Sequence, residues 1–288
     1  MATASNYLIA LDDGHGIDTA GKRTPIVAEL GRAIKENEFN RAVVKLMDEY
    51  LKYIGFKTLL VAPTDADTSL VARTNLANSK GADAYFSIHY DAMGGTWGTA
   101  EGHSIFVFPG NLNKQSGKLA ECIAEYLKQG TNQKWRGIKE ADFHVLRETK
   151  MPAILSENGF MDNSREARLM LDLDFQKEVA REHVQGICKY FGVPFKEKNE
   201  EVKPVNETKG IFRIKTGTFS NARLFADALD KIKADFGWMI YEAADSTSFD
   251  PKYRMYTGIF TTKEAAEDAQ SKIKAKYGWL TYLIDETK

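Results

Sequence analysis

An internal repeat in the last third of the chain constrains its fold more than any other sequence feature. Phe212–Gly217 (FRIKTG) matches Tyr253–Gly258 (YRMYTG) at a shift of 41 residues, and Lys231–Tyr241 matches Lys272–Tyr282 at the same shift. Each copy is predicted to form a strand, a helix and a second strand. Because one copy cannot bury the face of its own sheet, we expect the two copies to share a four-stranded sheet with both helices on one side.

A polar segment separates this repeat from the rest of the chain. Residues 196–210 contain almost no apolar side chains, carry balanced charge and include one proline, a composition typical of a linker. We therefore predict a first domain over residues 1–195, a linker over 196–210 and a second domain over 211–288.

Short β-rich runs alternate with amphipathic segments in the first domain. The runs predicted to form strands are 7–11, 57–61, 84–88, 104–108 and 153–156. Helical spacing of apolar residues predicts helices near 36–54, 113–129 and 175–191. Alternation of strands and helices indicates an α/β fold, with a sheet covered by helices on both faces.

Charge and composition exclude several classes of partner. The chain has 39 basic and 40 acidic side chains, so no overall field attracts nucleic acid or an anionic membrane. Residues 1–6 lack a basic segment, and the apolar run that follows is too short for a signal peptide or a membrane span. We therefore expect synthesis in the cytoplasm without a standard export signal. Cys122 and Cys188 form no spaced metal pair and are expected to be buried, reduced thiols.

Four short segments of the first domain carry the residue types of a metal hydrolase. They are Asp12–Gly16 (DDGHG), Lys35–Asn40 (KENEFN), Ser87–Ala92 (SIHYDA) and Leu155–Asn163 (LSENGFMDN). Three of the segments follow predicted strands, and open α/β sheets place their ligands at the carboxyl ends of the strands. A catalytic zinc ion takes about three nitrogen or carboxylate ligands and leaves a position for water. His15, His89 and one glutamate meet that requirement.

The order and the residue patterns of these segments resemble those of the zinc-dependent N-acetylmuramoyl-L-alanine amidases of the family called amidase type 3. The family pattern is a strand with a D-x-G-H-G turn, a glutamate ahead of an Asn at a helix start, S-I-H-x-N, and P-A-x-L-x-E-x-G-F-x-x-N. Residues 7–192 follow this pattern, with Asp91 in place of the usual Asn. The resemblance implies a twisted mixed sheet covered by helices.

The resemblance also implies the roles of individual residues. It makes His15, Glu36 and His89 the zinc ligands and Glu157 the catalytic base. Nearby alternatives to Glu36 are Glu29 and Glu38.

Other polar residues near these motifs have less specific predictions. Asp12 or Asp13 is expected to accept a hydrogen bond from the second ring nitrogen of a ligand histidine. For His144 both a cleft-lining and a structural role stay open. His103 is expected in a loop and His183 on a helix face.

The repeated unit resembles the SPOR domain, a peptidoglycan-binding module of βαββαβ order and α+β class. The resemblance rests on that order and on Gly217–Ser220 (GTFS) and Gly258–Thr261 (GIFT), which follow the first strand of each copy. Strand alternation places Phe212, Ile214, Tyr253 and Met255 on one face. The opposite face is predicted to bind wall glycan through Arg213, Lys215, Arg254 and Tyr256.

Two rival interpretations of the second domain are an RNA-recognition sheet and a structural dimerisation domain. RNA-binding domains of this strand order carry excess positive charge and an aromatic signature. Residues 211–288 have 12 basic against 11 acidic side chains and no such signature, so wall glycan is the preferred ligand.

For the whole chain the sequence predicts zinc-dependent hydrolysis of the bond between N-acetylmuramoyl and L-alanine, causing cell-wall lysis. The alternatives are a zinc peptidase acting within the stem peptide and a non-catalytic wall-binding protein. The presence of all four predicted active-site residues argues against the non-catalytic alternative. We expect a monomer that binds peptidoglycan and neither nucleic acid nor membrane. Its expected role is that of a phage endolysin or, less favoured, a sporulation-type lysin, acting on the wall after release.

Overall fold

The computed structural model describes residues 2–28, 30–198, 209–217, 219, 222–236, 240–245 and 252–287. The chain divides into two units, Met1–Lys198 and Asn199–Lys288, and each is described by itself. The predicted linker falls mostly outside the described residues, so its extent stays a prediction. Within the described residues, no helix is both long and apolar enough to span a membrane.

The first unit alternates strands and helices. Its strands are β1 (Leu8–Asp12), β2 (Lys57–Leu60), β3 (Ala84–Asp91), β4 (His103–Val107), β5 (Trp135–Glu140) and β6 (Ala153–Phe160). Its helices are α1 (Glu36–Ile54), α2 (Leu70–Ser79), α3 (Gln115–Gly130), α4 (His144–Arg147), α5 (Ser164–Leu169) and α6 (Leu173–Phe191).

The six strands form one sheet in the order β2-β1-β3-β6-β4-β5. Strands β2, β1, β3 and β6 are parallel, whereas β4 runs antiparallel to β6 and β5 runs parallel to β4. The sheet is therefore mixed and covered by helices, which confirms the predicted fold class.

The sequence pattern does not predict four of these elements, the helices α2, α4 and α5 and the strand β5. Apolar residues of α2 do not follow helical spacing, since the adjacent Leu70 and Val71 are both exposed. In β5, Gly137 has a φ of 100° and interrupts the alternation, so that Trp135 and Ile138 pack against the same core. A search for regular periodicity therefore does not find α2 or β5.

Helices cover the two faces of the sheet unequally. One face packs against the long helices α1, α3 and α6, and this core contains most of the buried apolar residues of the unit. The other face packs against α2 and the four-residue helix α4, around a smaller core. Because these two helices are short, the carboxyl ends of β3 and β6 stay accessible on that face.

The second unit is a small α+β domain. Its strands are β7 (Lys209–Thr216), β8 (Ile240–Asp245), β9 (Lys252–Thr257), β10 (Phe260–Thr262) and β11 (Thr281–Asp285). Its helices are α7 (Ala222–Phe236) and α8 (Lys263–Tyr277). The strands are antiparallel in the order β10-β7-β9-β8, and β11 also pairs with β7.

The repeat accounts for this sheet with one addition. The expectation of four strands is wrong by one, because Phe260 in the second copy pairs with Phe212 and extends the sheet as the short strand β10. Ile214 and Met255 are buried with residues of both helices in one core, as the alternation predicts. The side chain of Tyr253 lies outside the described residues.

Two buried histidines, on the side of the sheet that the long helices cover, should make the stability of the first unit sensitive to acid. His103, at the start of β4, and His183, on α6, are both buried, and burial lowers the pKa of each to about 4. Their folded-state pKa values lie below the ordinary value of about 6.5, so their contribution to stability is complete above pH 6.5 and is lost as the pH falls toward 4. The loss is up to about 3 kcal/mol for each histidine.

His103→Phe removes one of these titrating groups and should flatten the dependence of stability on pH. The free energy of unfolding can be measured by urea-dependent hydrogen exchange at the amides of β4 and β6 in the full chain, between pH 7.5 and pH 5. An unchanged pH dependence in His103→Phe would contradict this account.

Candidate metal centre

The turn after β1 places His15 beside His89. Gly14 and His15 adopt left-handed backbone conformations, with φ of 38° and 58°. A Cβ on Gly14 would lie 2.5 Å from Cε1 of His89, so only glycine allows the turn to pack against that imidazole. The Asn37 side chain stabilises the turn by donating to the carbonyl oxygens of Asp13, Gly14 and His15 at 3.0–3.1 Å.

Glu36 reaches both histidines from the first residue of α1. Its buried carboxylate lies with Oε1 2.9 Å from Nδ1 of His89 and with Oε2 3.4 Å from Nε2 of His15. Glu38 is engaged elsewhere, because it accepts a hydrogen bond from the Lys35 backbone at the helix start and pairs with Arg32. The other alternative, Glu29, lies outside the described residues.

The three side chains fit a metal ion. One ligand atom from each of His15, Glu36 and His89 lies within 4.8 Å of the others. Among the described residues, Nε2 of His15 and Oε2 of Glu36 are buried and accept or donate no hydrogen bond. Buried polar atoms without partners are costly, and a cation between them would satisfy both.

The protonation states also suit metal binding. Burial lowers the pKa of His15 to about 4, so its imidazole is neutral and offers a lone pair. Burial alone would raise the pKa of Glu36, but the hydrogen bond with His89 and the charges around it lower that pKa to about 2. Neutral imidazoles and ionised carboxylates are the forms that ligate metals.

A chain of hydrogen bonds fixes the orientation of His89. Its Nε2 lies 3.0 Å from the hydroxyl oxygen of Ser87, which donates to Asp12 at 2.8 Å. Asp12 also accepts from the hydroxyl of Tyr85 at 2.9 Å and forms an ion pair with Arg73. Asp12 therefore acts on the imidazole through Ser87 and not directly, whereas Asp13 pairs with Arg41.

Glu157 lies next to the three candidate ligands without joining them. It is the cross-strand partner of His89 on β3 and of Ser104 on β4. Burial, together with the charges of Glu36 and Asp91, raises its pKa well above the ordinary value. Among the described residues its buried Oε2 has no hydrogen-bond partner, so this carboxyl group is free to exchange a proton with a bound molecule.

A cleft of about 560 Å³ lies over the site on the thinly covered face of the sheet. Its apolar wall includes Leu70 and Phe143, and its polar lining includes Lys22 and His144. The ammonium of Lys22 lies 3.8 Å from Oε2 of Glu36. Lys22 belongs to no sequence motif. It is brought to the site by a backbone hydrogen bond, in which its carbonyl oxygen accepts from the N–H of Glu36. The structure places His144 in the cleft wall.

The candidate glycan-binding residues of the second unit share one sheet face. Lys215 is the register partner of Tyr256 on β9 and of Tyr282 on β11, and its ammonium lies 5.7 Å from the Tyr256 ring centroid. Arg213 and Arg254 are half-exposed on the same strands. Sequence reasoning missed Tyr282, although the 41-residue shift relates it to Tyr241.

Comparisons with known proteins agree with this geometry. The sequence profile of the family described as N-acetylmuramoyl-L-alanine amidase matches residues 9–189. The chain belongs to this amidase family. The profile of the SPOR domain matches residues 208–279 of the same amidase.

Individual relatives give the same result. The amidase is 33% identical over 187 residues to the N-acetylmuramoyl-L-alanine amidase CwlM of Bacillus licheniformis, covering 64% of this chain and 69% of the relative. It is 30% identical to the sporulation-specific N-acetylmuramoyl-L-alanine amidase of Bacillus subtilis, covering 77% and 78%. The catalytic domain of the amidase CwlV from Bacillus (Paenibacillus) polymyxa superposes with a TM-score of 0.59 at 29% identity, covering 65% and 99%.

These matches confirm the predicted activity. The enzyme hydrolyses the amide bond between N-acetylmuramoyl and L-alanine in bacterial peptidoglycan. Amidases of this family are metal-dependent hydrolases, and the amidase carries a candidate His/Glu/His site for the metal.

Ser87→Ala should weaken metal binding by about 10- to 100-fold, because it removes the group that orients the His89 imidazole. The affinity can be measured by competition with a chelator of known affinity. Tyr85→Phe is the matched control, since it removes a hydrogen bond to the same Asp12 oxygen without contacting His89. Equal losses in the two variants would show that Ser87 acts only through the general stability of the sheet.

Proposed function

We propose that His15, Glu36 and His89 bind a zinc ion and that Glu157 is the catalytic base of amide hydrolysis. The observation that carries this proposal is the meeting of two imidazoles and one carboxylate within 4.8 Å, beside Glu157, whose buried Oε2 has no hydrogen-bond partner among the described residues. Two histidines and one glutamate form a ligand set of catalytic zinc sites.

The cleft residues divide the chemistry between them. A bound zinc ion lowers the pKa of water and polarises a carbonyl group. Glu157 accepts the proton of the attacking water and delivers it to the leaving nitrogen, which is needed because an amide nitrogen leaves poorly without a proton. The raised pKa of Glu157 suits the second step, in which the protonated carboxyl group gives its proton to the leaving nitrogen.

The outer hydrogen bonds keep the reacting groups in place. Ser87 holds the ring of His89, and the turn at Gly14 holds His15 against it. A substrate that covers the exposed apolar side chains of Leu70 and Phe143 displaces water from the cleft, which strengthens the electrostatic interactions inside it.

We further propose that the second unit binds the glycan of the wall and that the amidase acts as a monomer. The row of Tyr256, Lys215 and Tyr282 across the sheet supports glycan binding. Aromatic rings offer flat apolar faces to sugars, and the cations can hydrogen-bond hydroxyl or carboxylate oxygens. Arg213 and Arg254 extend the same face.

Glu157→Gln should retain zinc but lose activity by about 10²- to 10⁴-fold, because it removes the proton acceptor and leaves the ligands. His15→Ala should instead lose the metal. Elemental analysis of the purified proteins measures the zinc, and mass spectrometry of digested peptidoglycan measures release of stem peptides that begin at L-alanine. Loss of zinc from Glu157→Gln with retention in Glu36→Gln would mean that the two glutamates have the opposite roles.

Replacing Lys215, Tyr256 and Tyr282 together by alanine should weaken binding of the full chain to insoluble walls by about tenfold, because two stacking rings and a cation are lost. Sedimentation with purified peptidoglycan measures the binding. Lys272→Ala is the control, since Lys272 is exposed on α8, which packs on the opposite face. Competition by RNA in the same assay, or no loss in the triple variant, would refute glycan binding by this face.

A further inference from the structure

Lys139 places a positive charge over the same sheet face as Glu157. It lies on the edge strand β5, and its ammonium donates to the hydroxyl of Ser104 at 3.1 Å. Ser104 is the register partner of Glu157. The polar side chains therefore cross the sheet in the order His89, Glu157, Ser104 and Lys139.

Lys139 is not neutralised by a close partner. Among the described residues, no carboxylate lies within the 4 Å ion-pair distance of its ammonium; Asp91 and Glu157 act on it only from farther away. The side chain is half-buried over the Phe106 ring, at 5.5 Å from the centroid. Burial, with the nearby charge of Arg136, lowers the pKa of Lys139, and a partly dehydrated cation gains more from an anion than an exposed one does.

Lys139 lies beside the cleft, on the side of Glu157 that faces away from β3. Phe106, beneath the ammonium, packs edge-on against Phe143 at 5.4 Å between ring centroids, and Phe143 belongs to the cleft wall. The candidate metal ligands lie on the other side of Glu157, toward β3. A molecule that extends from the cleft past Glu157 toward β5 therefore meets the metal centre first, Glu157 next and Lys139 last.

This order assigns a direction to the substrate, and the assignment rests on the proposed role of Glu157. Because Glu157 delivers the proton to the leaving nitrogen, the stem peptide begins at Glu157 and extends toward β4 and β5. Neighbouring strands are about 4.8 Å apart, and one extended residue spans about 3.3–3.6 Å. The ammonium is thus within reach of a group on the residue after L-alanine.

We propose that Lys139 binds the carboxylate on the second residue of the stem peptide, so that the amidase prefers stems with a free carboxylate there over stems in which it is amidated. The contact is a charge-assisted hydrogen bond. Ser104 positions the ammonium for it, and the guanidinium of Arg136, which is held by the Glu101 carbonyl at 3.0 Å, adds positive potential.

The test compares two soluble N-acetylmuramoyl peptides that differ only in the second residue, D-glutamate or D-isoglutamine. The wild-type full chain should cleave the glutamate substrate with the higher kcat/KM. Lys139→Met keeps the apolar stem over Phe106 and should lose about tenfold in kcat/KM on the glutamate substrate, through KM, with no change on the isoglutamine substrate. Lys139→Arg should retain most of the preference for the glutamate substrate.

Lys134→Met is the control, because Lys134 is exposed just before β5, and it should leave both rates unchanged. An equal fall on both substrates in Lys139→Met would show that Lys139 acts through Glu157. Equal wild-type rates on the two substrates would show that the enzyme does not recognise the carboxylate. Either result overturns the inference. Failure of the wild type to release any peptide from either substrate would instead refute the amidase activity itself, and the inference with it.

Discussion

The catalytic unit depends on the interactions of the Asp12 carboxylate. This carboxylate stands at the end of β1 and is bonded to Arg73 of α2 and to Tyr85 and Ser87 of β3, all of them almost inaccessible to water. A buried charge is tolerated only when its partners satisfy it fully. The ion pair and two hydroxyls achieve this, and in doing so they join two strands and a helix. The orientation of His89 is therefore set by the core of the fold through Ser87.

Unequal covering of the sheet creates the place where chemistry can happen. Long helices seal one face, and buried polar groups there, such as His183 bonded to Ser156, are structural. On the other face the shorter helices α2 and α4 leave a cleft at the carboxyl ends of β3 and β6, and Leu70 of α2 and His144 of α4 form part of its wall. Residues of one strand therefore have opposite roles, since Ser156 faces the sealed side and Glu157 faces the open cleft.

Much of this arrangement follows from the sequence, and the exceptions have physical causes. Regular periodicity predicts most strands and the long helices, and the motif order brings His15, Glu36, His89 and Glu157 to neighbouring positions. Lys22 and Lys139 escape sequence reasoning because they reach the site through a loop pairing and from an irregular edge strand. The choice of Glu36 over Glu38 depends on helix capping, which occupies Glu38 with backbone and Arg32 contacts.

The repeat in the second unit limits how well its sheet can distinguish the two directions of a bound linear polymer. The equivalent strands β7 and β9 are antiparallel neighbours, and their register pair, Lys215 and Tyr256, is also a pair of repeat-equivalent positions. The outer strands β11 and β8 flank them in the same equivalent way. A pseudo-twofold axis thus relates these four strands, and a linear polymer lying across them meets the same backbone whichever end leads. Features that break the symmetry, such as the lysine opposite the tyrosine, give such a polymer a preferred polarity.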